Sequence, residues 1–219
     1  MKYTIAYIDE NDGWLNTFYQ TFKDDFTIIR IKVNEESSVG SIIETLSNSK
    51  LDAIVTDYLL EEEGDVSFNG NKIVEEIKRN RPHFPIIMLT SHEPQAISQT
   101  DDVHIIYGKS ILDGESEEEL KIFKSKIKTS IERYYAKILN TEKCIEELIQ
   151  KKNDGGLNAD EEEVLTKLFI LMDELDPDGK ELPVNLIQTE SITKLNDFVS
   201  QTKEILEELK KANKKDEND

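Results

Sequence analysis

Five short apolar segments, separated by stretches with helical spacing, constrain the fold of this chain more than any other feature. They span residues 3–8, 27–33, 51–56, 85–90 and 103–107, and most are apolar at nearly every position. Strands that are apolar on both faces are typical of a parallel sheet covered by helices on both sides. The alternation therefore predicts an α/β domain, a doubly wound (βα)5 parallel sheet.

The segments between these strands carry apolar residues three or four positions apart, as on one face of a helix. Three such helices are predicted, over 14–23, 39–46 and 70–79.

The second half of the chain has a different pattern. Residues 116–151 contain neither Pro nor Gly and predict one helix of about 50 Å. The turn at 154–156 should end it, and Asn158 should cap a second helix. A third helix is predicted from about Thr189, before a frayed tail at 214–219. A mostly apolar stripe follows the long helix in steps of four and three residues: Ile127, Ile131, Tyr134, Ile138, Thr141, Ile145 and Leu148.

We therefore divide the chain into a sheet domain over 1–130 and an all-α helical module over 131–213, joined by the long helix. The stripe has two interpretations: the core of an intrachain helical bundle, or the seam of a parallel homodimer. Tyr134 and Thr141 are poor residues for a coiled-coil seam, which favours the intrachain bundle.

Charge and composition restrict the partners of this chain. The net charge is −19, from 46 acidic and 27 basic residues, whereas nucleic-acid binding needs a positive surface that displaces counterions from phosphates. We therefore expect no nucleic-acid partner. No apolar run is long enough for a membrane span, and Cys144 is the one cysteine, so a cytoplasmic location is expected.

Polar residues follow the predicted strands and suggest a common site. Asp9 and Glu10 follow the first strand, Asp57 follows the third, Thr90 ends the fourth and Lys109 follows the fifth. The carboxyl ends of parallel strands meet at one edge of a sheet. Crowded carboxylates repel one another unless a cation neutralises them, and oxygen ligands suit Mg²⁺. Asp57 could then attack phosphorus as a nucleophile, while Lys109 offsets charge on the transferred phosphoryl group.

Four segments, IAYIDEND, IVTDYLL, IIMLTSH and YGKS, resemble the signature segments of response-regulator receiver domains. The resemblance covers about residues 1–130 and implies a flavodoxin-like fold. It also implies that Asp57 is the phosphoacceptor, that Thr90 is the switch hydroxyl and that Lys109 pairs with the phosphate. The implied ligands of Mg²⁺ are Asp9, Glu10, Asp57 and the backbone carbonyl of Leu59.

The sequence departs from that family in three places. The loop at 61–70 is long and acidic, where most receivers have a short turn with proline. Ser110 follows the lysine in place of the usual Pro. The switch aromatic usually stands three residues before the lysine, where this chain has Ile106, and Tyr107 comes one residue later. A shift of one residue turns a side chain to the other face of a strand.

These observations predict a phospho-accepting response regulator, not itself an enzyme, that receives phosphate from a histidine kinase or phosphotransfer protein. Asp57 phosphorylation would control a helical module that binds an unknown protein. Since all three histidines lie in the first half, that module is not a histidine-phosphotransfer bundle. One alternative is a pseudo-receiver scaffold without phosphorylation. The other is an Asp-nucleophile phosphohydrolase, which Leu59 disfavours because it stands where a second acid would be needed.

Overall fold

A five-stranded parallel sheet forms the centre of the structure, a computed structural model that describes residues 2–114 and 116–176. The third predicted helix and the tail lie outside the described residues. The strands are β1 (Thr4–Asp9), β2 (Thr27–Lys32), β3 (Ala53–Thr56), β4 (Ile86–Thr90) and β5 (Ile106–Gly108). Their order in the sheet is β2-β1-β3-β4-β5, which confirms the predicted flavodoxin-like fold.

Helices cover both faces of the sheet, and each face has its own apolar core. The helices are α1 (Asp12–Phe22), α2 (Val39–Ser47), α3 (Glu61–Gly64), α4 (Gly70–Asn80), α5 (Glu93–Gln99), α6 (Glu117–Gly155) and α7 (Ala159–Leu175). Buried residues of α1 and of the first part of α6 pack on one face. Buried residues of α2, α4 and α5 pack on the other, together with Tyr134 of α6 and Leu175 of α7.

Strand β1 shows why its sequence is continuously apolar. Ile5 and Tyr7 belong to the core under α1 and α6, while Ala6 and Ile8 belong to the core on the opposite face. Successive side chains of a strand point to opposite faces, so a strand covered on both sides needs apolar residues at every position.

The fifth strand differs from its predicted bounds of 103–107. Residues 103–105 form a 3₁₀ turn instead, and only 106–108 pair with β4. The carboxylate of Asp102 accepts a hydrogen bond from the His104 backbone N–H at 3.2 Å. This local capping bond competes with the strand conformation. The short helices α3 and α5, for which no bounds were predicted, are also present.

Helix α6 confirms the predicted long helix and its ends. The Ser116 hydroxyl caps it by accepting from the Glu119 backbone N–H at 3.2 Å, and it ends at Gly155. Asn158 then caps α7 as predicted, in a reciprocal capping box with Glu161. The predicted boundary at 130/131 falls inside α6, and it stays a prediction. No helix in the described ranges combines the length and the apolar character that crossing a bilayer requires.

Five of the seven residues in the stripe along α6 are buried within one chain, and Ile138 and Leu148 are partly buried. Ile127 and Ile131 are fully buried against the sheet, and Thr141 and Ile145 are buried in the part of α6 that packs with α7. Most of the stripe therefore finds partners within the chain, which agrees with the intrachain interpretation, and the homodimer stays a prediction.

Tyr134 joins α6, α7 and the sheet domain. Its hydroxyl donates to the Leu175 carbonyl and accepts from the Arg81 guanidinium at 3.2 Å. Its ring meets Phe84 edge-on, with 5.6 Å between centroids. These contacts hold the C-terminal end of α7 near the C-terminal end of α4.

This packing predicts that two side-chain truncations on α6 destabilise the fold by different amounts. We expect Ile131→Ala to lower the free energy of unfolding by about 2–5 kcal/mol, because it leaves a cavity in a closed core. Leu139, on the same helix, is 63% exposed, so Leu139→Ala should change the free energy of unfolding by about 0.5 kcal/mol or less. Urea unfolding measures both. Equal costs would contradict the prediction, and midpoints that rise with protein concentration would indicate a dimer.

Candidate functional site

Four strand ends bring the predicted site residues together at one edge of the sheet. Asp9 ends β1, Asp57 follows β3, Thr90 ends β4 and Lys109 follows β5. All four are buried, with exposed fractions between 0% and 3%. Glu10, next to Asp9, is half-buried. Polar side chains this deeply buried need partners, because an unpaired buried charge is costly.

The ammonium of Lys109 supplies those partners. Its Nζ lies 2.6 Å from Asp57 Oδ2 and 2.8 Å from Asp9 Oδ2. The same Nζ also lies 5.1 Å from the centre of the Trp14 ring, close enough for a cation–π contact. Burial alone would lower the pKa of Lys109, but the carboxylates of Asp57 and Asp9 outweigh burial and raise it above its ordinary value. Lys109 therefore stays charged and links the two acids.

Asp57 is held at both its carboxylate and its backbone. Its Oδ1 accepts from the Tyr58 backbone N–H at 2.6 Å, and its own N–H donates to the Ile8 carbonyl at 2.9 Å. Burial raises the pKa of Asp57 above its ordinary value, although Lys109 and the Thr90 hydroxyl act in the opposite direction. A cation bound nearby would favour the charged form.

Asp9 is surrounded by hydrogen-bond donors. Its Oδ1 accepts from the Asn11 backbone N–H at 2.9 Å, and its Oδ2 accepts from the Tyr7 hydroxyl as well as from Lys109. Fixed donors on both oxygens set the plane of this carboxylate.

The carboxylates of Asp9, Glu10 and Asp57 fit a divalent cation. One oxygen from each lies within 4.8 Å of the others, and Glu10 Oε2 is buried without a hydrogen-bond partner. Burial and the two neighbouring acids raise the pKa of Glu10 to about 7. An all-oxygen donor set is what Mg²⁺ prefers, and a cation would both pair Glu10 and relieve the repulsion.

Two further predicted residues lie at this edge. The Thr90 hydroxyl accepts from the His92 backbone N–H at 3.1 Å, beside the N-terminus of α5. Leu59 follows Asp57 by two residues, and its side chain packs against the core. Its carbonyl as a metal ligand stays a prediction.

Hydrogen bonds connect the two ends of the acidic loop after Asp57. The Asn69 side chain accepts from the backbone N–H groups of Leu60 and Glu61 at 2.9 and 3.3 Å. Gly70 lies so close to the Asp57 carbonyl that an added Cβ would stand 1.8 Å from its oxygen. Near the middle, Gly64 packs beside the Glu10 side chain. The loop backbone therefore borders the site, whereas the side chains of Glu61 and Glu62 are exposed.

Ile106 stands at the usual position of the switch aromatic, and Tyr107 follows it; the two side chains lie on opposite faces of the sheet. Ile106 packs into the core under α2 and α4, whereas Tyr107 packs into the core under α1 and α6. The Tyr107 ring meets Phe123 of α6 edge-on at 5.2 Å. The aromatic thus faces α6, as the one-residue shift implied. All peptide bonds in the described residues are trans, including Lys109–Ser110.

Three residues near the site were missed by the sequence analysis: Tyr7, Trp14 and Gly70. Tyr7 stands two positions before Asp9, so both side chains point to the same face of β1; that spacing could have indicated their contact. No sequence signal joins Trp14 to Lys109, which is 95 positions away. Gly70 was predicted as the end of the acidic loop and the start of a helix, with no role at the site.

The structure is similar to solved receiver domains over about the first 60% of the chain, and the C-terminal part has no counterpart in them. One is the signal receiver domain of an HD domain-containing protein from Pseudomonas fluorescens Pf-5, at 13% identity and TM-score 0.46, covering 60% of this chain and 88% of that one. Another, a CheY-like receiver from Methanospirillum hungatei JF-1, has 14% identity, TM-score 0.44 and coverage of 61% and 99%. A third, from Sinorhizobium medicae WSM419, has 18% identity, TM-score 0.44 and coverage of 60% and 95%. No protein-family model and no curated protein matches the sequence.

The raised pKa of Glu10 predicts how stability without metal depends on pH. Between its ordinary pKa of 4.5 and about 7, folded Glu10 keeps a proton that the unfolded chain has released. The free energy of unfolding should therefore fall as pH rises through this window. Glu10→Gln should remove about 1–2 kcal/mol of that fall, a value reduced for solvent screening of a half-buried group.

Urea unfolding in a chelator at pH 5 and pH 8 measures this difference. The matched control is Glu62→Gln, an exposed glutamate in α3, which should keep the pH dependence of the wild type. The same fall in wild type and Glu10→Gln would contradict the prediction.

Proposed function

We propose that this chain is a cytoplasmic response regulator whose Asp57 accepts a phosphoryl group from a histidine kinase or phosphotransfer protein. The observation that carries the proposal is the position of Lys109, whose ammonium contacts both Asp57 and Asp9 in a buried site. A lysine there is charged and ready to pair with phosphate. The adjacent acids, with the unpaired oxygen of Glu10, provide the ligands for Mg²⁺.

In the proposed reaction, an oxygen of Asp57 forms the new O–P bond while the donor's P–N or P–O bond breaks. Lys109 moves with the phosphoryl oxygens and offsets their charge, and the Thr90 hydroxyl donates to one of them. Bound Mg²⁺ would supply further charge neutralisation, held by Asp9, Glu10 and Asp57. The Tyr58 backbone N–H, bonded to the other oxygen of Asp57, keeps the nucleophile oriented.

A phosphohydrolase fits the site less well. Leu59 contributes a side chain that packs into the core, so this position offers no general acid to the leaving group. One observation favours the pseudo-receiver scaffold: Tyr107 faces α6 and not the usual side of the switch aromatic. This difference concerns the switch alone, since the acids and Lys109 of the proposed phosphorylation site are all present.

The proposed chemistry predicts labelling at one residue. With Mg²⁺ and acetyl phosphate, we expect wild type to gain one phosphoryl group and Asp57→Asn to gain none, because the amide is a poor nucleophile. Intact-mass spectrometry measures this. Asp65→Asn, an exposed acid in the neighbouring loop, should label like wild type.

Equal labelling of wild type and Asp57→Asn would reject Asp57 as the phosphoacceptor. An unlabelled wild type with both acyl-phosphate and phosphohistidine donors would favour the scaffold. Rapid turnover of a phosphoester without lasting label would favour the phosphohydrolase.

The second part of the proposal is that α6, α7 and the residues after them form an output module that binds a protein. A short path joins this module to the site. Lys109 begins a 3₁₀ turn that ends at the buried Leu112, and α6 starts five residues later. A displacement of Lys109 toward phosphate would therefore pull on the start of a rigid helix.

We expect beryllofluoride, a mimic of the phosphoryl group, to alter hydrogen exchange at 109–114 and 116–127 in wild type but not in Asp57→Asn. Exchange should also become faster at 61–69, since added negative charge at Asp57 repels the acidic loop. Exchange mass spectrometry measures both. Unchanged exchange at the start of α6 with Asp57 occupied would mean that phosphorylation does not control the module.

A further inference from the structure

Tyr7 is placed to control one ligand of the proposed Mg²⁺ site. It lies in the middle of β1, fully buried, and its hydroxyl donates to Asp9 Oδ2. Because residues two apart share one face of a strand, the phenol reaches this carboxylate from inside the core. One hydrogen bond thus connects a proposed metal ligand, Asp9, to a residue in the interior of the domain.

The Tyr7 ring is held in place by aromatic stacking. It lies 4.1 Å from the Phe18 ring at an interplanar angle of 16°, and Phe18 stacks in turn on Phe22 at 4.3 Å. A ring fixed in this way aims its hydroxyl in one direction. Burial and the nearby Asp9 raise the pKa of Tyr7 above its ordinary value, so the hydroxyl keeps its proton and acts as a donor.

Two donors among the described residues contact Asp9 Oδ2, and they have different roles. Lys109 also contacts Asp57, and the proposed reaction draws it toward the phosphoryl oxygens. The Tyr7 ring is fully buried and stacked on Phe18, so its hydroxyl is less able to follow Lys109. With the Asn11 backbone N–H on Oδ1, the Tyr7 hydroxyl keeps Asp9 oriented after Lys109 leaves.

We propose that Tyr7 is a positioning residue for Mg²⁺, which it affects through Asp9 without touching the ion. The inference rests on the proposed function, since it requires Asp9 to be a metal ligand. Without the Tyr7 hydroxyl, Lys109 remains as the donor on Oδ2 among the described residues, and the carboxylate is less restrained against turning toward it. A cation must then reorient Asp9 as well as displace Lys109, so its affinity falls. Hydrogen-bond donors to metal ligands typically contribute about 10–100-fold in affinity.

Trp14 provides a direct measurement that does not depend on phosphorylation. It is the one tryptophan of the chain, and its ring faces Lys109 Nζ at 5.1 Å, so its fluorescence should change when a cation displaces the ammonium. We expect Tyr7→Phe, which keeps the stacked ring, to raise the dissociation constant for Mg²⁺ about tenfold or more. Tyr107→Phe removes a hydroxyl from the same core and should leave Mg²⁺ binding like that of wild type.

Labelling by acetyl phosphate adds a second readout. Tyr7→Phe should need a higher Mg²⁺ concentration for half-maximal rate, while the rate at saturating Mg²⁺ stays close to that of wild type. If Tyr7→Phe lowers only the melting temperature and binds Mg²⁺ as wild type does, the hydroxyl is structural and the inference is wrong. If wild type itself binds no Mg²⁺ by fluorescence or calorimetry, the proposed metal site fails, and the inference fails with it.

Discussion

The contact of one buried ammonium with two buried carboxylates is the interaction on which the site depends. Lys109, which follows β5, contacts the acids at the ends of two other strands. Its Nζ lies 2.6 Å from Asp57 Oδ2 and 2.8 Å from Asp9 Oδ2. Without it, two desolvated acids would face each other beside Glu10, and their mutual repulsion would destabilise the site. In the proposed reaction, a phosphoryl group at Asp57 would compete for the same ammonium. Stability without phosphate and the proposed response to phosphate would then depend on one residue.

Helix α6 links this edge of the sheet to α7. Its first part closes one core of the sheet domain with Phe123, Ile127 and Ile131, and its later part packs with α7. Tyr134 lies where the two parts meet and bonds both to Leu175 and to Arg81. The sheet domain and α7 thus use adjacent surfaces of one helix. A change at the start of α6 has a physical route to α7 through shared packing.

Much of the fold could be predicted because local patterns and tertiary environment agree. Continuous apolar strands require cover on both faces, and Ile5, Ala6, Tyr7 and Ile8 indeed pack alternately into two cores. The cap of α7 was predicted because Asn158 acts within one turn of the chain, and the structure adds the Ser116 cap of α6. The prediction was wrong at 103–105, where the Asp102 side chain stabilises a 3₁₀ turn. β-Branched residues alone do not reveal such a bond.

The sequence by itself determined the order of the strands along the chain and the types of residue at their ends, because both follow from short-range patterns. It therefore identified Asp9, Glu10, Asp57, Thr90 and Lys109 as candidates for one site. Only the tertiary structure decided which atoms meet there. The Tyr7 hydroxyl on Asp9, the Trp14 ring beside Lys109 and the close approach of Gly70 to Asp57 depend on side-chain directions and packing. A contact between residues distant in sequence is set by the folded arrangement of several elements at once.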